Sequence, residues 1–347
     1  MQKPIREMSE TNITMPRSKI QAVSYHFPEK HLSSVDLEES ISAEGGYPVK
    51  SGIIETITGI KYRHAADRDT YNSTLAAAAC RKLFEERSID PKSIDLLIFA
   101  SAGQDIMEPA TAHIVSNIID TKCPVFDLTD ACNSFLDALH VGDALIRCGT
   151  YKKILIATGE VTTKTIQRKI VDRNDFKECF TGYTFGDAGT AVLLTDAEDG
   201  AGIISSSFMA DSALWDSAMF PGGGSRFPDT TGLRFHGNGE VLKQAFESIG
   251  PSFIDNFLTE NETDIPSIRH VFVHQVTKPY LDDFVQNCGF TPEQIEETVS
   301  WCGNVAAASI PLQWSLRAEK KLLRSGDLVL MIGMAGGISI GVTLARV

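Results

Sequence analysis

The chain has 347 residues, enough for about two domains or lobes and for a core that needs no disulfide or metal staple. At 43% hydrophobic and 22% charged residues its composition is ordinary globular usage, which excludes disordered, collagen-like and coiled-coil classes. With 45 acidic against 32 basic residues the net charge of −13 disfavours nucleic acid or an anionic membrane as partner, and no apolar run reaches the roughly 18 residues of a membrane span.

In chain order, residues 1–18 (MQKPIREMSETNITMPRS) are polar and lack the apolar stretch of a signal peptide. They predict a disordered leader on a soluble, cytoplasmic protein. Residues 19–27 read as a first strand. Residues 73–87 read as a helix with Leu75, Ala76, Ala79, Leu83 and Phe84 along one face. The run IDLLIFAS at 94–101 is a strand buried on both sides, followed by a helix over 110–119 and the strand CPVFDLT. A long helix from Asp130 and the strand KKILIATGE continue the alternation, which indicates a parallel α/β layer. FGDAGTAVLLTD closes this first half, residues 19–199. The second half, 200–347, repeats the pattern: helix 240–258, strand 269–276, helix 278–288, helix 303–323, and two strands about a Gly-Gly turn at the end. Within the second half, residues 212–238 form a long Gly/Pro loop of the kind that is functional or disordered.

Seven cysteines, an odd number without a CxxC pair or a Cys/His cluster, argue against a disulfide framework and against zinc. Each is expected to be a buried small hydrophobe unless its neighbours single it out. Cys132 is singled out: it follows a strand and opens a helix expected to be capped by Asp130, so the helix dipole and free amides favour its thiolate. Strand-turn-helix placement also puts it at the carboxyl end of a sheet, where α/β proteins build their sites. His274 ends the apolar run VFV, where an imidazole can orient or deprotonate a nucleophile or donate to an oxyanion. Asn304 precedes an Ala-rich helical stretch, where an amide either caps the helix or faces a site.

From about Lys19 onward the chain resembles the thiolase-fold condensing enzymes of the β-ketoacyl-acyl-carrier-protein synthase III type. The resemblance is carried by TGIKYRH near residue 60, Asp-Ala-Cys at 130–132, FGDAGTAVLL at 185–194, Val-His-Gln at 273–275, GNVAAASIP at 303–311 and the terminal AGGISIG. It implies two similar βαβαβαββ halves in a five-layered αβαβα arrangement, a homodimer, and Claisen condensation of acyl thioesters. It further implies Cys132 as the acylated nucleophile, with His274 and Asn304 polarising the second thioester's carbonyl. The backbone amides of Cys132 and Gly336 would form the oxyanion hole. No metal or resident cofactor is implied, since the substrates ride on the phosphopantetheine of an acyl carrier protein or of CoA. The physics agrees: the chemistry builds negative charge on thioester oxygens, which fixed donors stabilise.

The departures from the family pattern are specific. Ile53 and Ile57 stand where members that load acetyl-CoA carry a tryptophan and an arginine, and Val276-Thr277 follow His-Gln where Ala-Asn is usual. Carrier or pantetheine contacts fall to Lys243, Lys278 and Thr277, although Asp282 and Asp283 lower the positive charge there. Asn133 and Ser134 replace smaller residues. Glu108-Pro109 is similar to the element of olefin-pathway, pyrone-forming and dialkylresorcinol-forming ketosynthases, in which a glutamate reaches the partner's tunnel and removes an α-proton. A carboxylate in an apolar tunnel has the raised pKa such a base needs. The leading expectation is therefore non-decarboxylative condensation in secondary metabolism. The alternatives are decarboxylative elongation with malonyl-carrier protein in fatty acid synthesis, an acyltransferase on the same fold, or a non-catalytic partner subunit. Glu160 and the basic run 164–169 read as a solvated helix face, Gly222–Gly224 as a loop over a pantetheine channel, and Trp215, Trp301 and Trp314 as core or interface residues.

Overall fold

A computed structural model describes residues 17–197, 200–229 and 234–347. Most of the expected leader, residues 1–16, lies outside the described residues, and the first strand already opens at Arg17. Two sheets organise the chain. The first contains β1 (Arg17–His26), β2 (Leu96–Ala100), β3 (Val125–Leu128), β4 (Lys153–Glu160) and β5 (Ala188–Ala197), in the order β1-β5-β4-β2-β3. β2 runs parallel to β3 and β4, and β5 runs antiparallel to β4 and β1. The second contains β6 (Gly202–Ala210), β7 (Ile268–Val273), β8 (Leu328–Ala335) and β9 (Ser339–Arg346), in the order β7-β8-β9-β6. Its strand directions repeat those of the first sheet, and a lone parallel bridge between Val271 and Ile295 occupies the place of β3.

Helices fill three layers. α1 (Asn72–Arg87) and α2 (Thr111–Ile119) bury Ala76, Leu83, Phe84 and Val115 against Leu97, Phe99 and Leu155 of the first sheet. α3 (Ser134–Arg147) lies between the sheets, placing Phe135, Leu136 and Leu139 in one cluster with Ile98 and Ile156 on one side and Phe272 and Met331 on the other. α4 (Gly239–Glu260) and α5 (Lys278–Asn287) cover the far face of the second sheet through Phe246, Ile254 and Leu281. α6 (Ser309–Glu319) joins the central layer through Ile310 and Trp314. This is the five-layered αβαβα arrangement of two like halves expected from the sequence.

Several elements differ from the sequence reading. β6 was not expected, because its Ser205-Ser206-Ser207 run breaks the apolar pattern; Ser206 Oγ instead pairs with Thr343 Oγ1 at 2.9 Å. The helix expected from 303 starts only at Ser309, after a separate turn over Ala306–Ala308. The loop 212–238 is partly structured, Ala218–Met219 pairing with His236–Gly237, while 230–233 lie outside the described residues. The cysteines are all free, but only Cys80, Cys179 and Cys302 are buried and Cys148 is exposed. Trp314 is core and Trp301 half-buried, whereas Trp215 is exposed under the Arg226 guanidinium, 4.7 Å above its ring.

The start of α1 is seated by two glycines. Gly159 of β4 and Gly189 of β5 are cross-strand neighbours. A Cβ on Gly159 would lie 1.9 Å from the Asn72 carbonyl oxygen, and one on Gly189 would lie 2.2 Å from that of Leu75. Helix backbone therefore rests directly on strand backbone, with no flexible side chain able to give way. Gly189→Ala should destabilise the fold by about 3 kcal/mol or more, at the upper end of overpacking costs, read as a fall in the urea unfolding midpoint at unchanged m-value.

Candidate active site

Strand ends and turns meet at the carboxyl edge of β2, β3 and β4. Cys132 lies in the turn after β3, two residues before the first residue of α3, and Ala131 beside it has φ +47°. Asp130 does not cap the helix as expected. Its carboxylate accepts from Ser339 Oγ at 2.6 Å and from Asn133 Nδ2 at 3.4 Å, while Asn133 holds the N-cap position without a side-chain cap bond. The turn is thereby tied to the β8–β9 hairpin that carries Gly336. Gly333 and Gly341 of that hairpin leave the space taken by Asn133 Oδ1, 2.0 and 3.0 Å from where their Cβ atoms would be. Asn133 is thus a packing residue at the base of the turn, and Ser134 binds back within it, Oγ to the Ala131 carbonyl at 2.7 Å.

The thiol is not activated in the resting chain. Cys132 keeps some accessible surface, yet protein encloses the sulfur closely enough that burial pushes the thiol up to about 12, with the carboxyls of Glu160 and Asp130 adding to the rise. The helix-start argument predicted the opposite sign. Its physical premise fails because burial of the sulfur, the largest effect, opposes the thiolate, and two acids add to that opposition. Asp137, in the first turn of α3, is itself pushed up to about 7 by burial and by Asp130.

His274 follows β7 and is buried. Its backbone amide donates to the Ile332 carbonyl at 2.9 Å, and its Nδ1 pairs with Ser309 Oγ at 3.2 Å. Burial lowers its pKa to about 4, only partly offset by the Ala306 carbonyl, so the imidazole is neutral at physiological pH. Asn304 sits in a bridge with Phe185: its amide donates to the Thr184 carbonyl at 2.8 Å, and its carbonyl accepts from Gly186 at 2.9 Å. Its Oδ1 accepts from the Ala306 amide at 2.9 Å, which fixes the side chain and leaves Nδ2 as a donor. The turn from Asn304 to Ser309 therefore holds both polar side chains. Gly303, with φ +73°, makes the bend that starts it.

Glu160 was missed. It is no solvated face: it ends β4 fully buried, its Oε1 accepting from the Ala102 amide at 2.9 Å. Burial pushes it up to about 8 against the pull of the Ala102 amide, the Ser101 hydroxyl and the Ala307 amide. The signal available in the sequence was its place at the end of an unbroken apolar strand; the basic residues that follow drew the reading toward a helix. Lys164 does belong to a surface, its Nζ 5.0 Å above the Tyr71 ring.

The remaining expected site residues lie elsewhere in the chain. Glu108 is exposed in the loop between β2 and α2, beside Ile106 and Met107, which are 47% and 71% exposed. It has no hydrogen bond or ion pair among the described residues, so its own chain supplies no apolar tunnel around it. Lys243 pairs with Asp283 at 2.7 Å, Lys278 pairs with Asp282, and Thr277 Oγ1 caps α5 by accepting from Tyr280 at 3.3 Å. Ile53 and Ile57 lie on the short helix Ile53–Thr58, Ile57 half-exposed at 49%.

Comparison with known proteins places this geometry. Residues 126–212 match the family model of 3-oxoacyl-[acyl-carrier-protein] synthase III, and residues 258–347 match its C-terminal model. The β-ketoacyl-[acyl-carrier-protein] synthase III of Erythrobacter litoralis is 30% identical over 336 residues, covering 96% of this chain and all of that protein. That of Hyphomonas neptunium is 31% identical over 335 residues, covering 95% and 99%. Among solved structures, a variant of Xanthomonas campestris OleA superposes with a TM-score of 0.86 at 20% identity over 96% of this chain and 99% of that one. Another, with bound lauric acid and lauroyl-CoA, gives 0.85 at 20% identity over 96% and 100%. The chain belongs to the 3-oxoacyl-acyl-carrier-protein synthase III family of the thiolase superfamily and is a condensing acyltransferase.

Because folded His274 binds its proton less readily than an unfolded histidine, its contribution to stability is fully present above pH 6.5 and is lost on acidification through the window from 6.5 to about 4. NMR of ring-labelled protein should show the His274 imidazole titrating near 4, and His274→Asn should flatten the urea midpoint across that window.

Proposed function

We propose that the enzyme joins two acyl thioesters by non-decarboxylative Claisen condensation, with Glu108 of the partner subunit as the base. In the first half-reaction Cys132 gives up its proton and its sulfur attacks an acyl thioester; the tetrahedral oxyanion collapses, the pantetheine thiol leaves with the proton, and the acyl group stays on sulfur. In the second, the carboxylate of Glu108 removes an α-proton from a second thioester. Neutral His274 and Asn304 Nδ2 hold the developing enolate oxygen, and the carbanion attacks the acyl carbon. The oxyanion faces the amides of Cys132 and Gly336, and its collapse expels the Cys132 thiolate and a 3-oxoacyl thioester. The pantetheine of the substrates carries the acyl groups, so no resident cofactor enters.

The observation that carries this reading is the presentation of Glu108. Asp127 of β3 accepts from the Thr111 and Ala112 amides, each at 2.7 Å, and Asp105 accepts from Ser73 at 3.3 Å. The loop is therefore pinned at both ends and presents Ile106, Met107 and Glu108 outward, with no partner for the carboxylate among the described residues. β3 is also the edge strand of its sheet, with half-buried Val125, Phe126 and Leu128. An unpaired apolar edge of that kind is covered in a stable soluble protein, and a homodimer built across it would carry each Glu108 toward the neighbouring site.

A second reading has its own support: the curated relatives are named β-ketoacyl-[acyl-carrier-protein] synthases III, which favours decarboxylative elongation with Glu108 idle. The bound lauric acid and lauroyl-CoA of the OleA structure favour long acyl chains and CoA delivery for the first reading. The pairing of Lys243 and Lys278 with Asp283 and Asp282 weakens them as contacts for an acidic carrier.

Co-expressed Cys132→Ala and Glu108→Ala subunits decide between these. Each homodimer should be inactive in condensation, whereas the mixture should regain about one quarter of wild-type activity, from heterodimers that hold one complete site. A mixture as inactive as the homodimers, or release of one carbon dioxide per product, would reject the trans-acting base. Intact-mass analysis should show an acyl adduct lost in Cys132→Ala.

A further inference from the structure

At the end of β4 lies a carboxyl group that the proposed chemistry does not use. Glu160 is fully buried, and its two oxygens are unequal: Oε1 accepts the Ala102 amide at 2.9 Å, while Oε2 is buried without a hydrogen-bond partner among the described residues. An ionised carboxylate is acceptor-only and spreads its charge over both oxygens, so a bare buried oxygen is costly for the anion. The neutral acid fits the same cage: Oε1 keeps the amide and Oε2 carries the proton. The elements around it supply few countercharges. Ser101 offers a hydroxyl whose Oγ is committed to the Gly159 carbonyl at 2.7 Å, and the 304–309 turn offers the Ala307 amide. The acid that faces it is Asp187, held by the amides of Ala66 and Thr163 at 2.7 and 2.8 Å. Glu160 and Asp130 are the two acids that act on the Cys132 sulfur.

We infer that Glu160 is a positioning residue for the nucleophile, a carboxyl held neutral so that the Cys132 thiol can ionise, and whose ionisation would oppose acylation. The sign follows from charge alone. A neutral acid adds no charge beside the sulfur when the thiolate forms. An ionised one places a second anion in the same enclosed space and makes the thiolate harder to form. Since burial sets the Glu160 carboxyl near 8, the opposition begins at the alkaline end of the physiological range, where an ordinary cysteine would become more reactive. The 304–309 turn thus acts on the acid through the Ala307 amide as well as holding His274 and Asn304.

This inference rests on Cys132 as nucleophile, and alkylation separates the two: it reads the thiol directly, whereas the acyl adduct reads the nucleophile's role. The rate of Cys132 carbamidomethylation by iodoacetamide, followed by mass spectrometry from pH 6 to 10, is expected to rise in Glu160→Gln by about tenfold per pH unit throughout, as for a lone thiol below its pKa. The glutamine keeps an acceptor for Ala102 but cannot ionise. In the wild type the rise should flatten near pH 8, leaving the variant about threefold faster above pH 9 and the two equal at pH 6.5. Parallel profiles, or a variant slower by one factor at every pH, would reduce Glu160 to a structural residue and overturn the inference. Should the variant fail to fold, the wild-type and Asp137→Asn profiles decide, since Asp137 near 7 faces Asp130 beside the same sulfur: a straight rise from pH 6 to 10, or a break lost in Asp137→Asn, overturns the inference, and a break near pH 8 kept in Asp137→Asn sustains it. An infrared band of a protonated carboxyl that is present at pH 7 and gone at pH 9.5 would be the matching signature.

Discussion

Everything the site contains is held where a segment of the second half is laid onto a motif of the first. Gly186, in the Phe-Gly-Asp turn that leads into β5, has no side chain because the Cys302 carbonyl oxygen lies 1.9 Å from where a Cβ would be. That contact lets Asn304 exchange backbone hydrogen bonds with Thr184 and Gly186. The same turn is braced from behind by Asp187, which binds the amides of Ala66 and Thr163. From this seam the chain bends through Gly303 and runs on to Ser309, giving Asn304 its orientation and His274 its ring partner. A methyl group at Gly186 would lever the entire turn away from Cys132, although it would touch none of the reacting groups.

The electrostatics follow from the same packing. Burial drives the thiol and the Glu160 carboxyl up and the imidazole down, so all three groups are neutral in the resting site. A thiolate–imidazolium pair, the usual arrangement for a cysteine nucleophile, is therefore not stored in the free enzyme. Such a site reacts only slowly with stray electrophiles, through the small fraction of thiolate, and most of the charge appears only when a thioester carbonyl arrives to receive it. Neutral donors suit the second half-reaction as well, because a cationic histidine beside an enolate would hold the proton that the carbanion must lack.

How much of this was legible in the residues depends on what each signal rests on. The layered α/β order could be read because β2 and β4 are uninterrupted apolar runs and α1 and α3 keep their periodicity. Cys132, His274 and Asn304 could be picked out since each stands at the end of such an element. Two things could not be read. β6 is stabilised by hydroxyl pairing and by its place beside β9 rather than by an apolar pattern. The acidity of the nucleophile depends on which carboxyls fold against it, and Glu160 comes from a strand while Asp130 turns away from the helix it was expected to cap. Local sequence gives the helix-start argument its sign; tertiary enclosure reverses it.

The loop bearing Glu108 completes the picture from outside. A carboxylate flanked by Ile106 and Met107 is an unfavourable surface for a monomer, since two large apolar side chains gain nothing from water. Yet the loop is not slack: Asp127 and Asp105 anchor it to α2 and α1 with charge-assisted bonds to backbone amides. Anchors at both ends of an exposed apolar tip are the features of an element shaped to insert into something. Asp127, which holds one end, lies on β3, the edge strand of its sheet. A partner docked along that edge would therefore receive the tip in a position set by the very strand it pairs with, so that dimer register and base position would be a single geometric variable. Within one chain, by contrast, Glu108 stands exposed, whereas Glu160, one of the acids that act on the sulfur, is enclosed. The two glutamates would then divide the labour: one kept neutral inside the subunit to spare the thiolate, the other brought from outside, with the substrate, to take a proton.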